Sequence, residues 1–340
     1  MRTLEGSRPA ATQNAPTPGN LTEGDPSPRR FENGASSDQE DGAIGTAFIR
    51  WTRSALEAFP SRPWRFASLP FPPIKSINRF HAQGIFNFGE TGLGAQAKIT
   101  VSVVSHGQMD LVGPLLDDLD ALCKESIAEL ILTINIPEPR GLEELNVGFP
   151  VRRIVNRMPM GFGANHNQAF GHSQSEWFLA LNPDVRLADN VLEPLLALAK
   201  ADTGIMAPRI LEPGKLEPEA HRAMLTPWEF LMRRSAHYAS PEAPAWIPGI
   251  FMLFRAAAFA EVAGFDPRFY MYCEDCDICA RVRLAGWKIA IAPDLRAFHD
   301  ARRAAHWDAA HLRWFIASLA RMWLSSAFWR YRKLLRVSQK

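Results

Sequence analysis

The stretch EWFLALNPDV, residues 176–185, joins five consecutive apolar residues to a turn-forming Asn-Pro-Asp that ends at Asp184. An apolar run of this length bounded by turn residues predicts a buried strand, with Asp184 just beyond its carboxyl end. About ninety residues later, FYMYCEDCDICAR (269–281) carries Glu274 and Asp275 at the start of an amphipathic helix. Because an open α/β sheet binds ligands beyond the carboxyl ends of its strands, the two acidic segments indicate one site.

Around these segments, short apolar runs alternate with helical patterns. Strands are predicted at 99–105, 129–135, 149–155, 204–210, 250–254 and 287–293, and helices at 111–122 and 192–200. This alternation predicts an α/β fold with a doubly wound, mostly parallel sheet. Residues 211–245 are polar and contain proline, which predicts a mobile loop over the site.

The composition favours one large domain with appendages. The chain has 340 residues, 47% of them hydrophobic and 22% charged. We divide it into a disordered arm (1–43), a short helix and Pro/Gly linker (44–97), the α/β domain (98–300) and a basic amphipathic helical tail (301–340). No secretory signal or run of transmembrane length is expected, and four cysteines do not suggest a disulfide framework, so we expect a cytoplasmic protein.

The charge of the chain is unevenly distributed. Residues 301–340 hold nine Lys or Arg and one acid, Asp308, so the tail carries +8 and the remaining 300 residues carry −6. An apolar stripe in this tail includes Leu312, Phe315, Leu319, Met322 and Trp323. A basic, Trp-rich helix favours contact with a membrane surface. The alternative is a helix packed on the domain with a solvated basic face. A nucleic-acid partner is not expected, since the body is acidic and carries no such motif.

The spacing of Cys273, Cys276 and Cys279 resembles part of an iron–sulfur site. A fourth ligand is not evident, because Cys123 belongs to a different predicted helix. Buried free cysteines commonly serve as small apolar fillers, and we favour that interpretation here.

Four blocks in order carry a family resemblance: GFGANHN (161–167), LNPD (181–184), the run from Gly264 to Asp277, and His299. Together they resemble family 2 glycosyltransferases of the GT-A fold, and most closely the rhamnosyltransferase-type members. The resemblance covers about 200 residues, from Ile99 to His299. A single block would be a weak signal, whereas four in order are specific.

The resemblance implies a role for each acidic residue. Asp184 would bind Mg²⁺ or Mn²⁺ on a sugar-nucleotide diphosphate; the alternative is a turn after a strand. Asp275 would be the base that takes the acceptor proton, with Glu274 as a supporting acid; the alternative is acids that stabilise a helix N-terminus. Asp277 would steer Asp275 or pair with Arg281, and His299 would complete the metal site or serve a structural role.

The resemblance also implies a set of residues that bind the nucleotide sugar. The residues expected there are Val104, Ser105, Asn135, Gly161, Phe162, Asn165, Asn167 and Asn182. For the asparagines near His166, the alternative is helix capping. The sequence departs from the family at one point. After the second strand, the family usually has Asp-Asn-x-Ser. Here Ile134 replaces that Asp and Asn135 alone remains, which indicates altered nucleotide recognition.

The resemblance therefore implies an inverting, metal-dependent glycosyltransferase. The expected donor is dTDP-rhamnose and the expected acceptor is a lipid-linked or growing surface glycan. Such a protein would lie on the inner face of the cell membrane. Two alternatives remain open: a catalytically inactive GT-A scaffold in a glycan-assembly complex, and a metal-dependent nucleotide-sugar hydrolase.

Overall fold

The computed structural model describes residues 99–138, 145–212, 214–233, 235, 238–299 and 309–338. The arm and linker predicted at 1–43 and 44–97 lie outside these residues. Within the described part, the strands are β1 Ile99–Ser105, β2 Ile127–Ile134, β3 Val151–Val155, β4 Trp177–Leu181, β5 Val185–Arg186, β6 Thr203–Leu211, β7 Phe251–Arg255 and β8 Lys288–His299. The helices are α1 Met109–Cys123, α2 Phe162–Phe170, α3 Leu192–Leu198, α4 Pro227–Met232, α5 Ala256–Glu261, α6 Glu274–Leu284, α7 Ala309–Leu324 and α8 Ser326–Ser338.

The strands form one sheet in the order β3-β2-β1-β4-β7-β6-β8-β5. Strands β3, β2, β1 and β4 are mutually parallel, and β6 is parallel to β8. The prediction of a mostly parallel α/β sheet is confirmed. Strand β7 runs antiparallel to both of its neighbours, as β5 does to β8.

The centre of the sheet is fully buried. Every residue of β4, and every residue of β1 except Val104, is shielded from solvent. Such strands are covered on both faces, which explains why they appear in the sequence as continuous apolar runs. The carboxyl ends of β1 and β4 lie side by side and open on the candidate site.

Strand β8 is longer than the predicted strand 287–293. The predicted strand ends at Pro293, and proline lacks the N–H that a sheet ladder requires. The sheet passes this point by a register shift: Pro208 of β6 faces Ala292, and the next residue, Arg209, faces Arg296. The strand then continues to His299, which lies opposite Val185.

The segment predicted as a loop at 211–245 contains the short helix α4. Thr226 caps it, since its Oγ1 accepts the N–H of Glu229 at 3.0 Å, and Pro227 occupies the first turn. Both are recognised helix-start signals.

The C-terminal helices pack on the α/β domain. Leu319, Met322, Phe328 and Tyr331 are buried in the common core. Trp323 Nε1 donates to the carbonyl of Leu225 at 2.8 Å. The apolar stripe of the tail is thus used for packing, the second of the two interpretations given above. Among the described residues, no helix combines the length and the apolarity that crossing a membrane would require.

Candidate active site

Asp184 lies in a turn that connects β4 to β5. The turn is fixed at both ends, because Asn182 N–H donates to the Ile250 carbonyl at 3.0 Å and the Val185 N–H donates to the Asn182 carbonyl at 3.3 Å. The pairing of β5 with β8 then brings His299 Nε2 to 3.1 Å from Asp184 Oδ2. Asp184 Oδ1 and His299 Nδ1 are buried and have no hydrogen-bond partner among the described residues. This corner therefore offers acceptor atoms that the protein itself leaves unused.

Asp275 lies in the first turn of α6. Its Oδ2 accepts the N–H of Gly249 at 3.1 Å, and its Oδ1 accepts the N–H of Cys276 at 2.7 Å. Two backbone donors from different elements hold the carboxylate in one orientation, and each favours its charged form.

Burial raises the pKa of Asp275, and the positive charge of Arg222 and the backbone donors partly offset that effect. Burial also raises the pKa of Glu274, and the neighbouring Asp275 carboxylate raises it further. Glu274 is 6% exposed, and its Oε2 has no partner among the described residues. Raised carboxyl pKa values are what a general base near neutral pH requires.

Both acidic segments border the same cavity, which has a volume of about 680 Å³. The sequence-predicted residues that line it are Val104, Phe162, Asn182, Asp184, Glu274 and Asp275. The 211–250 segment contributes Arg222, Leu225, Phe230, Arg233 and Trp246. The predicted convergence of the two acidic segments is therefore present in the structure.

A family model described as glycosyltransferase-like family 2 matches residues 140–317, slightly more than half of the chain. The chain belongs to the family 2 glycosyltransferases. The blocks around Asp184 and Asp275 both lie within the matched region, whereas β1 and β2 precede it.

Two curated relatives of this family 2 member are rhamnosyltransferases. The N-acetylglucosaminyl-diphospho-decaprenol L-rhamnosyltransferase of Mycobacterium tuberculosis is 29% identical over 187 residues, which cover 49% of this chain and 60% of that protein. Rhamnosyltransferase WbbL of Escherichia coli K12 is 26% identical over 257 residues, or 68% of this chain and 91% of that protein. The chain thus spans 60% of the length of the mycobacterial relative.

The fold of the chain also resembles that of a solved glycosyltransferase structure. The crystal structure of GalNAc-T7 with UDP, GalNAc and Mn²⁺ superimposes with a TM-score of 0.54 at 16% identity, covering 69% of this chain and 49% of that one. At this identity the likeness concerns the fold, and it supports the predicted GT-A architecture.

In this family 2 member, two predicted asparagines serve the framework of the site. Asn135 Nδ2 donates to the Met160 carbonyl at 2.9 Å, and its Oδ1 accepts from Asn156 at 2.7 Å. Asn156 also donates to Asn165 Oδ1 at 2.7 Å, and Asn165 Nδ2 donates to the Gly161 carbonyl at 3.0 Å. Neither Asn135 nor Asn165 lines the cavity; they connect the ends of β2 and β3 to the start of α2.

Asn167 and Asp277 are also engaged within the protein. Asn167 makes two hydrogen bonds with the backbone of Phe265, at 2.7 and 2.9 Å. Asp277 forms an ion pair with Arg281 at 2.8 Å, and Arg281 in turn donates to the Gly264 carbonyl at 2.7 Å. Burial raises the pKa of Asp277, although Arg281 favours its charged form. Of the two roles considered for Asp277, pairing with Arg281 is the one observed.

Of the remaining residues singled out in the sequence, His166 lines the cavity, whereas Ser105 and Gly161 do not. Ser105 Oγ bonds Glu138 Oε1, which also accepts the N–H of Gly107 at 3.0 Å. His166 lines the cavity, its Nδ1 lies 2.8 Å from Ser102 Oγ, and burial lowers its pKa to about 3. Gly161 allows the start of α2 to lie close to the backbone of Tyr270, since an added Cβ would be 2.6 Å from the Tyr270 carbonyl oxygen.

Several cavity residues were not identified from the sequence. Arg222 lies over the ring of Trp246, with 4.9 Å from its guanidinium carbon to the ring centre, and pairs with Glu219 at 2.6 Å. The helix-start pattern at Thr226-Pro227 could have indicated that this segment is ordered. No comparable local signal distinguishes Arg222 from other surface arginines.

The cysteines of α6 are buried and reduced. Cys279 Sγ accepts the N–H of Ile247 at 3.4 Å, which joins α6 to the segment that carries Trp246. Across the part of the chain that the structure describes, no three His, Cys, Asp or Glu side chains converge as a metal cluster. Asp184 and His299 form a pair of candidate ligands.

Proposed function

We propose that this chain is an inverting, metal-dependent glycosyltransferase that moves a sugar from a nucleotide sugar to a glycan or lipid-linked acceptor. The observation that carries the proposal is the convergence of Asp184 and Asp275 on one cavity. The first carboxylate suits a metal ion bound to the diphosphate of a donor, and the second suits the removal of a proton from the acceptor hydroxyl. The cavity volume lies within the usual range of ligand sites.

In the proposed reaction, Asp275 removes the proton of the acceptor hydroxyl as that oxygen attacks the anomeric carbon. The new carbon–oxygen bond forms while the bond from the anomeric carbon to the diphosphate breaks. The nucleoside diphosphate leaves with the electron pair, and Asp275 retains the proton. One displacement inverts the anomeric configuration, so no covalent enzyme intermediate is required.

The residues beside Asp184 fit a divalent cation. A hard cation on a diphosphate requires few protein ligands, and carboxylate oxygens suit it. Asp184 Oδ1 is a buried oxygen with no partner among the described residues, and His299 Nε2 lies close to the other oxygen. Asp184 and His299 would hold Mg²⁺ or Mn²⁺, which would stabilise the charge that develops on the departing diphosphate.

The relatives support a choice of substrates. Because both are named rhamnosyltransferases, we propose dTDP-rhamnose as the donor. The name of the mycobacterial relative specifies a diphospho-decaprenol acceptor, which supports a lipid-linked acceptor here. Among the described residues, Arg222 and Arg233 line the cavity, and each forms an ion pair with a glutamate, Glu219 and Glu229 respectively.

A lipid-linked acceptor would require access to a membrane surface. The exposed face of α8 carries Arg330, Lys333 and Arg336, and no acid lies between residues 309 and 340. We propose that this face contacts anionic lipid from the cytoplasmic side, through charge rather than through the buried apolar stripe. Sedimentation with phosphatidylglycerol vesicles tests this contact. Unchanged binding after all three side chains are replaced by Gln would contradict it.

Thermal-shift titration with nucleotide sugars, with and without Mn²⁺, tests the donor site. We expect dTDP-rhamnose to stabilise the protein only when metal is present. Asp184→Ala should abolish that effect, because it removes the principal metal ligand. Stabilisation that is independent of metal, or that survives in Asp184→Ala, would contradict the proposed site.

One observation favours a catalytically inactive scaffold as a second candidate. Where the family usually has Asp, this chain has Ile134, which is 1% exposed, and the amide of Asn135 is engaged with Met160 and Asn156. The usual contact to the nucleoside is therefore missing at this point. Failure of every nucleotide sugar to bind in the presence of metal would favour the scaffold.

A further inference from the structure

The turn Tyr270–Cys273, which leads directly into α6, has an unusual backbone. Tyr272 has φ 72° and Cys273 has φ 66°. Left-handed conformations are disfavoured for residues with a Cβ atom, and two in succession are rare. Such a turn persists only where surrounding contacts hold it. Since Cys273 immediately precedes Glu274 and Asp275, the turn sets the direction in which α6 begins.

Helix α7 supplies hydrogen bonds to this turn. Ser318 Oγ donates to the Met271 carbonyl at 2.8 Å, and His311 Nδ1 lies 2.8 Å from the hydroxyl of Tyr272. The two contacts reach consecutive residues of the turn from positions about two helical turns apart on α7. They therefore fix the orientation of the turn relative to the helix axis.

Ring contacts reinforce the same arrangement. Tyr270 packs on Trp314 with ring centres 4.7 Å apart, and Tyr272 meets Phe315 edge to face at 5.6 Å. The N–H of Phe162, at the start of α2, donates to the Tyr270 carbonyl at 2.9 Å. The turn thus has contacts with both α2 and α7. Tyr272 and Phe315 also line the cavity.

We propose that α7 is a positioning element of the active site, and that His311 and Ser318 act through the Tyr270–Cys273 turn to hold Asp275 in its reactive orientation. The proposal rests on the proposed function, in which Asp275 is the base. Helix α7 belongs to the segment that the sequence analysis interprets as an appended tail, and the proposal assigns it a role in catalysis. Neither His311 nor Ser318 needs to touch substrate for this role.

Steady-state transfer kinetics test the proposal. We expect Ser318→Ala and His311→Leu each to lower kcat about ten-fold or more, because small displacements of a reacting group are costly. The KM for the nucleotide sugar should remain within about two-fold, since Asp184 and His299 are untouched. His311→Asn should restore most of kcat, because its amide can occupy the position of Nδ1. In a Tyr272→Phe background, which already lacks the hydrogen bond to His311, His311→Leu should lower kcat little further.

Tyr331→Phe is the matched control. It removes one hydroxyl hydrogen bond between the C-terminal helices and the domain, from Tyr331 to the Ala245 carbonyl at 2.7 Å, without touching the turn. We expect it to lower Tm while leaving kcat near the wild-type value. If Ser318→Ala and His311→Leu lower Tm but leave kcat near the wild-type value, as expected for Tyr331→Phe, the helix merely stabilises the fold and the proposal is wrong.

Hydrogen–deuterium exchange separates this proposal from the proposed function. Peptides covering residues 270–276 should exchange faster in Ser318→Ala and His311→Leu, and at the wild-type rate in Tyr331→Phe. Unchanged exchange in the first two variants would overturn the positioning role, whether or not the protein transfers sugar. Full transfer by Asp275→Asn would instead overturn the function on which the proposal rests.

Discussion

Gly161 is the point where the start of α2 comes closest to the turn before α6. A Cβ at this position would lie 2.6 Å from the Tyr270 carbonyl oxygen and 2.8 Å from its Cα. The φ of Gly161 is −69°, a value that alanine adopts freely, so the effect of Gly161→Ala comes from contact alone. The atoms in the way belong to backbone, which cannot rotate aside. The turn must therefore shift by several tenths of an ångström.

This shift has consequences for both stability and catalysis. Overpacking of this kind costs about 1–3 kcal/mol, which in a domain of this size lowers Tm by about 3–10 °C. The displaced turn would also move Asp275, and misplacement approaching 1 Å can reduce the rate about 100-fold. We expect Gly161→Ala to lower kcat by about 10- to 100-fold in a sugar-transfer assay, with Tm measured in parallel.

Gly113→Ala is the matched control. Gly113 lies within α1, and an added Cβ there would meet nothing within 4 Å. Alanine should change the stability by no more than about 1 kcal/mol, because its higher helix propensity is opposed by Pro114, which disfavours helical backbone at the residue before it, and kcat should be unchanged. If Gly161→Ala behaves like Gly113→Ala in both measurements, the close approach of α2 does not constrain the turn, and the reasoning is refuted.

Two further predictions concern charge. Burial holds the pKa of Glu274 above its ordinary value, so the folded state retains a proton that the unfolded state releases, and stability falls as pH rises above about 5. Glu274→Gln should remove the contribution of Glu274 to this dependence, so the Tm of the variant relative to wild type should rise as pH increases towards about 8. A Tm difference that is independent of pH would contradict the raised pKa of Glu274. Asp277→Ala should lower stability by about 3 kcal/mol, because it leaves the partly buried Arg281 without its carboxylate. Urea unfolding measures this loss, and a change below about 1 kcal/mol would show that Arg281 is satisfied by the Gly264 carbonyl and its other contacts.

The two acidic positions could be predicted from local sequence. The apolar run before Asp184 has the length of one buried strand, and the Asn-Pro-Asp turn marks where it ends. Likewise, acids preceding an apolar helical pattern mark the start of α6. Both signals depend on residues that are neighbours in the chain, so local sequence is sufficient to find them.

The partner of Asp184 depends on a contact that is distant in sequence. His299 reaches it only because β8 continues past Pro293 through a register shift and pairs with β5. A proline normally marks the end of a strand, so the sequence favours the shorter element. The family resemblance pointed to His299, but the pairing that positions it is visible only in the folded sheet.

The C-terminal region illustrates a different limit. The spacing of Leu319 and Met322 indicates an amphipathic helix, and in the structure these residues lie in α7, which is followed by a second helix, α8. The same spacing suits a membrane surface and a protein core equally well, because the partner surface is encoded elsewhere in the chain. Here the core supplies that surface. The framework role of Asn135 could not be predicted for the same reason, since Met160 and Asn156 lie more than twenty residues away.

The most direct measurement is the transfer of labelled rhamnose from dTDP-rhamnose to a lipid-diphosphate acceptor by wild type and Asp275→Asn, with donor binding measured for both. Asn preserves the shape of the side chain but cannot accept the proton. We expect donor binding to persist in the variant while transfer falls at least about 100-fold, since general-base catalysis contributes about 10²- to 10⁴-fold. Undiminished transfer by Asp275→Asn would contradict the assignment of this cavity as the catalytic site.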